Sequence, residues 1–116
     1  MSEKDVINSI QNYLLRLQAE GIPISVSVLY GSYARGNQTK WSDIDLLVVS
    51  PQFDDEKSNE DIDLLWYTAA LVDSRIEPIA CGLRQWTHDD ESAIIEIARR
   101  EGRVVKCEID LYAETR

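Results

Sequence analysis

The chain has 116 residues and a formal charge of −9 at neutral pH, from 12 basic and 21 acidic side chains. That is enough for one core and too little for two, and the sign opposes binding of a long nucleic acid through its phosphates. No apolar run approaches the roughly 18 residues of a membrane helix, and residues 1–5 carry both charge signs with no apolar segment of export-signal length behind them.

The expectation is therefore a single domain over residues 1–116, cytoplasmic, with reduced thiols and no membrane contact. Cys81 and Cys107 lack metal-ligand spacing and His88 has no partner motif, so packing or surface roles account for all three. In chain order, Ser2 can cap a first helix whose residues Val6, Ile7, Ile10, Tyr13, Leu14 and Leu17 form one apolar stripe, and Gly21 then Pro23 end it. Residues 24–30 alternate Ile24, Val26, Val28 and Tyr30 against Ser25, Ser27 and Leu29, the period of a strand that delivers Gly31 to a turn. Gly31 lets the backbone approach an anion closely. Ser32 can cap a short helix over residues 33–35, whose free N–H groups and dipole attract negative charge.

Residues 44–49 form a second strand with Asp43 and Asp45 at its start, two residues apart and hence on one face. The polar stretch 50–60 reads as a solvated, mobile loop. A second long helix then sets Ile62, Leu65, Trp66, Ala69 and Val72 at helical spacing, with Asp61 and Asp63 near its positive end. Trp66 can stack a base, but its place on the stripe suits the core better. Residues 75–80 read as a third strand, in which Pro78 disfavours helix at Glu77 and removes a ladder donor, as suits a sheet edge or a bulge. Residues 82–88 read as a loop whose Trp86 is less plainly core and suits a partner surface. Asp89 or Asp90 can cap a last helix that turns Ile94, Ile95 and Ala98 inward and stops at Gly102. Beyond it, Val105, Cys107, Ile109 and Leu111 alternate with Lys106, Glu108 and Asp110 as a half-buried strand. The expected fold class is α/β, a mixed sheet of about four strands with helices mainly on one face and the active site at a sheet edge.

The chemistry lies in Gly31-Ser32, ten further residues, then Asp43-Ile44-Asp45, between two strands. Two carboxylates on one strand face, roughly 6 to 7 Å apart along the backbone, suit a hard cation such as magnesium whose other ligands are phosphate oxygens. Such a pair can hold two metals, one activating the attacking oxygen and one neutralising the leaving group, which is the arrangement of phosphoryl or nucleotidyl transfer. The plain alternative is an ordinary turn followed by solvated carboxylates, yet the four fixed residues at this spacing should arise by chance in about one chain of this length in a thousand. Arg35 and Lys40 lie between the halves of the motif, as candidate phosphate contacts or as surface charges of a loop.

Gly31-Ser32 with Asp43-Ile44-Asp45 resembles the signature of the DNA polymerase beta nucleotidyltransferase superfamily. The fuller run GSYARGNQTKWSDIDLLVV resembles its minimal nucleotidyltransferases. The resemblance implies a palm-like core, Gly31 and Ser32 on the phosphates of ATP, Asp43 and Asp45 on two magnesium ions, and a third carboxylate on a neighbouring strand as metal ligand or base. Glu77 is the best match for the third, where the family more often has Asp; Asp73 is the fallback, although it suits the end of the preceding helix. Larger relatives add domains that hold the acceptor, for which this chain has no residues left over. Minimal members are typically paired with a HEPN-domain toxin, so the resemblance implies an antitoxin that transfers AMP from ATP to a tyrosine of that toxin. The alternative is a non-catalytic nucleotide-binding antitoxin that neutralises its partner by docking. The acidic balance fits docking on a basic surface.

Overall fold

A computed structural model describes residues 3–39, 42–55, 57–88 and 92–106, with the backbone alone described at Glu3. Lys40, the caps expected of Ser2, Asp89 and Asp90, and the strand continuation through Cys107, Ile109 and Leu111 lie outside the described residues. The elements run α1 (Glu3–Ala19), β1 (Val26–Tyr30), α2 (Ser32–Arg35), β2 (Ile44–Ser50), a 3-10 turn (Pro51–Phe53), α3 (Asn59–Val72), β3 (Ile76–Gly82), α4 (Leu83–His88), α5 (Ala93–Glu101) and β4 (Arg103–Val105).

The four strands form one mixed sheet in the order β3-β2-β1-β4. β1 pairs antiparallel with β2 and β4, while β2 and β3 are parallel. β3 is thus an edge strand, which is where Pro78, lacking an N–H, does no damage to a ladder. The α/β class and the four-stranded mixed sheet agree with the sequence expectation.

Both faces of the sheet are covered. On one, the stripe of α1 (Val6, Ile10, Tyr13, Leu14, Leu17) packs with Leu65 and Ala69 of α3 against Leu29, Leu46, Val48 and Ile76. Each such buried aliphatic side chain contributes about 1.5–3 kcal/mol. Tyr13 is fully buried and keeps its polar tip satisfied by donating to the Leu65 carbonyl at 3.0 Å, while burial holds its phenol well above the usual range. The other face carries Val28, Leu47, Val49 and Cys81 beneath Ile95 and Ala98 of α5. Burial on both sides explains the unbroken apolar run Leu46-Leu47-Val48-Val49 in the central strand. The two long helices share the first face, and the shorter α5 covers the second. Among the described residues no helix is long and apolar enough to cross a membrane.

Several local expectations are corrected. Trp66 is 48% exposed, and Thr68, 3% exposed, takes the core position on α3; the buried ridge centres on Leu65 and Ala69, and Trp66 sits one step round the helix from it. Ile94 is 43% exposed, leaving Ile95 and Ala98 to face inward. The stretch 50–60 is ordered in part: Ser50 accepts from Gln52 N, closing a 3-10 turn that buries Phe53, and Ser58 caps α3 by accepting from Asp61 N. Residues 83–88 form a helix instead of a loop. Its first turn is capped from a distance, by Asp54 accepting from Arg84 N at 2.9 Å and Gln85 reaching back to Gly82 N at 2.9 Å. α5 is capped by Ser92, which accepts from Ile95 N.

Candidate active site

β1 brings the chain to Gly31 with φ 75° and ψ −147°, a region essentially reserved for glycine. Gly31 is itself the N-cap of α2, with its carbonyl accepting from Ala34 N and Arg35 N at 3.1 Å each. Ser32, expected to cap this helix, is instead its first residue. Space is as restrictive as torsion at Gly31. A Cβ there would collide with the Asp45 carboxylate, whose Cγ would stand 3.1 Å away. The turn backbone and the second carboxylate of the motif are therefore in direct apposition, although thirteen residues lie between them in sequence.

Sheet register assembles the rest. Tyr30 of β1 is paired with Asp45 of β2, and Asp45 with Glu77 of β3, so the three form a row across three strands. Alternation along the strands puts them on the face of Val28, Leu47 and Cys81, with Asp43 two residues before Asp45. Asp43 is exposed, whereas Tyr30, Asp45 and Glu77 are half-buried.

The electrostatics of the row are those of crowded negative charge. Burial raises the proton affinity of Asp45, the Asp43 charge raises it further, and Arg35 partly offsets both. Glu77 is raised by burial, then by the Asp43 charge and a hydrogen bond with Asp43, then by Asp45. Tyr30 is pushed up to about 12, by burial first and then by Asp45 and Glu77. Surplus anionic charge on one sheet face fits a hard cation. Among the described residues no three His, Cys, Asp or Glu side chains are drawn tightly enough together to enclose one. Asp43, Asp45 and Glu77 do not by themselves form a closed cation cage.

The structure thus brings together Gly31, Asp43, Asp45 and Glu77. Arg35 lies within electrostatic reach of Asp45 and is otherwise half exposed, 3.8 Å from Glu101. Asp73, the fallback third carboxylate, ends α3 as expected and is already committed: Arg75 donates to it through Nη2 at 2.7 Å and Nε at 3.0 Å. Those hydrogen bonds hold the Asp73 carboxyl below its usual range.

Two features were not read from sequence. Tyr30 completes the cross-strand row, and its signal was present in the alternation of the first strand. Arg75 ties the site's segments together, donating to the Tyr33 hydroxyl of α2 at 3.2 Å while its carbonyl accepts from Ile44 N at 2.8 Å. A contact 42 residues apart leaves no local signal. Trp86 is half-buried against the second cluster, under the Arg99 guanidinium 5.8 Å from its ring.

Residues 8–116 match the nucleotidyltransferase domain family. No curated protein matches the chain closely enough to count as a relative. Among solved structures, a nucleotidyltransferase from Sulfolobus solfataricus, assigned as such provisionally, is similar at TM-score 0.61 and 12% identity, over 84% of this chain and 77% of that one. A toxin–antitoxin crystallised with AMP-PNP is similar at TM-score 0.57 and 23% identity, over 84% of this chain and 73% of that one. A mutant of the toxin–antitoxin MntA-HpeT gives TM-score 0.55 and 23% identity, with the same coverage of 84% and 73%. At these identities the likeness is one of fold.

Proposed function

The chain belongs to the nucleotidyltransferase domain family, and from that premise we propose that it transfers AMP from ATP to a hydroxyl of a partner protein, as the antitoxin of a HEPN-domain toxin. The observation that carries this reading is the apposition of the Gly31 turn to Asp45, in a row with Glu77 and beside Asp43.

In this reading the Gly31-Ser32 turn receives the β- and γ-phosphates, and Arg35, the cation that acts on Asp45, lies close enough to help neutralise the triphosphate. Lys40 keeps the same proposed role as a phosphate contact. Asp43, Asp45 and Glu77 are the residues that would hold magnesium, which would supply charge neutralisation on the triphosphate and activation of the hydroxyl. The partner's hydroxyl oxygen attacks the α-phosphorus, the bond to the bridging oxygen breaks, and pyrophosphate leaves. Glu77, paired across the sheet with Asp45, is the candidate to take the hydroxyl proton. Tyr30 shields the inner side of the row from water, being half-buried beside Asp45.

An acceptor carried by a partner fits the described residues, which are taken up by the core and the site. The likeness to two toxin–antitoxin structures supports a toxin as that partner, and the charge of −9 suits a basic one, in the cytoplasm where ATP is available. That no three His, Cys, Asp or Glu side chains among the described residues enclose a cation favours one second reading, an antitoxin that binds nucleotide without turnover and neutralises by docking.

The test is to incubate the chain with magnesium, ATP labelled in the adenosine and the product of the neighbouring gene, beside the Asp43→Ala, Asp45→Ala double variant. Label on the neighbour with wild type alone is the expected result. A stable complex without label would replace transfer by docking, and label from both proteins would overturn the metal assignment.

A further inference from the structure

The outer face of α3 carries side chains that normally lie inside a protein. Tyr67, Leu71 and Trp66 are 65%, 52% and 48% exposed. Tyr67 and Leu71 lie one turn apart and, with Leu64 of α3 and Arg16 and Ala19 of α1, line a groove of about 260 Å³ between the two long helices. Leu15, 37% exposed, sits one turn from Ala19 and extends the apolar surface along α1.

The charges around the groove are mostly acidic. Going back along α3 from Tyr67 by one and two turns, the same stripe carries Asp63 and Glu60, both exposed, and Glu20, just past the end of α1, lines the groove opposite. Neither Glu60 nor Asp63 forms an ion pair among the described residues. Arg16 is the cation of the groove lining.

We propose that the α1/α3 face is the docking surface for a basic protein partner, which lays an amphipathic helix flanked by Lys or Arg into this groove. Contiguous exposed aromatic and aliphatic side chains mark interaction sites, and Trp and Tyr are the residues that most often dominate interface energies. The acidic rim, on a chain of charge −9, selects a cationic occupant and repels nucleic acid, an anionic membrane and a second copy of this chain. The inference rests on the reading that the chain acts with a protein partner, and it adds where that partner is held.

Position gives the surface a mechanistic consequence. α1 and α3 cover the sheet face of Leu29, Leu46 and Val48, whereas Asp45 and Glu77 lie on the face of Leu47 and Cys81. A partner gripped by the long helices leaves the carboxylates uncovered. Holding and transfer are then separable, and the hydroxyl that is modified belongs to another molecule or another protomer of the partner.

The experiment uses the purified chain with the neighbouring gene's product as probe, titrated by calorimetry at two salt concentrations. Wild type and Asp45→Asn should bind alike. Tyr67→Ser with Leu71→Ser should weaken binding by roughly 30-fold or more, with a melting temperature near wild type because both side chains are exposed. Glu60→Lys with Asp63→Lys should weaken binding and flatten its salt dependence. The proposal is overturned if the Tyr67, Leu71 variant binds like wild type or if the probe does not bind wild type. It is equally overturned if wild type sediments as a dimer that the serine variant dissolves. A complex that forms through this face but takes no label would instead count against transfer and leave the docking surface standing.

Discussion

Replacing Gly31 by alanine should separate the backbone requirement of the site from its chemistry. The cost has two parts. Gly31 has φ 75° and ψ −147°, and holding an L-residue in such a region costs about 1–3 kcal/mol, or roughly 4 to 12 °C of melting temperature for a domain of this size. The new methyl would also press on the Asp45 carboxylate, an atom group that has to move because the clash is direct. Gly36 supplies the control. Its φ of 78° with ψ 13° is left-handed helical backbone, a smaller torsional cost for an L-residue than the Gly31 conformation, and a Cβ there meets nothing within 4 Å. Gly36→Ala should therefore lose about 1 kcal/mol and keep labelled-AMP transfer, whereas Gly31→Ala should lose stability and reduce transfer by roughly 100-fold or more, as displacement of a reacting group by about 1 Å does. The assay is thermal melting of both variants alongside transfer at saturating ATP. Equal activity of Gly31→Ala and wild type, or equal loss in both variants, would refute the claim that the turn and Asp45 form one unit.

Asp45→Asn should melt higher than wild type at pH 7 in chelator and lose transfer. A carboxylate whose folded proton affinity is raised costs stability once pH rises above its unfolded value, and the amide removes that cost; a lower melting temperature would contradict it. Magnesium should raise the melting temperature of wild type and not of Asp45→Asn, as differential scanning fluorimetry would show. Arg75→Met should cost about 1–3 kcal/mol at neutral pH through its bonds to Asp73 and Tyr33. Because the Asp73 value is depressed, the Asp73 share of that stability is present above its unfolded value near 4 and is lost as pH falls through the lower folded value, so the gap between urea titrations of wild type and variant should narrow toward acid pH; a gap independent of pH would count against the pairing. Gly102→Ala, at ordinary φ, should cost about 1–3 kcal/mol, since a Cβ there meets the Ala98 carbonyl and Val28, with unchanged urea midpoints as the contrary result.

What was legible in the sequence was set by period and by local geometry. The stripe of α1 and the run of β2 declared themselves because 3.6- and 2-residue periods are properties of neighbours in sequence. Gly31, Asp43 and Asp45 were legible because a strand, a turn and a strand bring them together without help from the rest of the chain. Where a distant group decides the local structure, the sequence was silent. α4 exists because Asp54 caps it from 30 residues away. Trp66 was misplaced because hydrophobicity alone does not say which edge of a stripe meets α1, and Thr68 fills that place. Glu77 stood in the right segment, but its alignment with Asp45 is a fact of parallel register, which no single strand encodes.

The central claim is that AMP, and not the terminal phosphate, leaves ATP at the row formed by Asp43, Asp45 and Glu77. It is tested most directly by offering wild type, magnesium and the neighbouring gene's product ATP labelled either at the α-phosphorus or at the γ-phosphorus. Incorporation of the α-label alone, abolished by Asp43→Ala with Asp45→Ala, is the expected result. Incorporation of the γ-label would make the chain a phosphotransferase, and α-label retained by the double variant would remove the carboxylates from the chemistry.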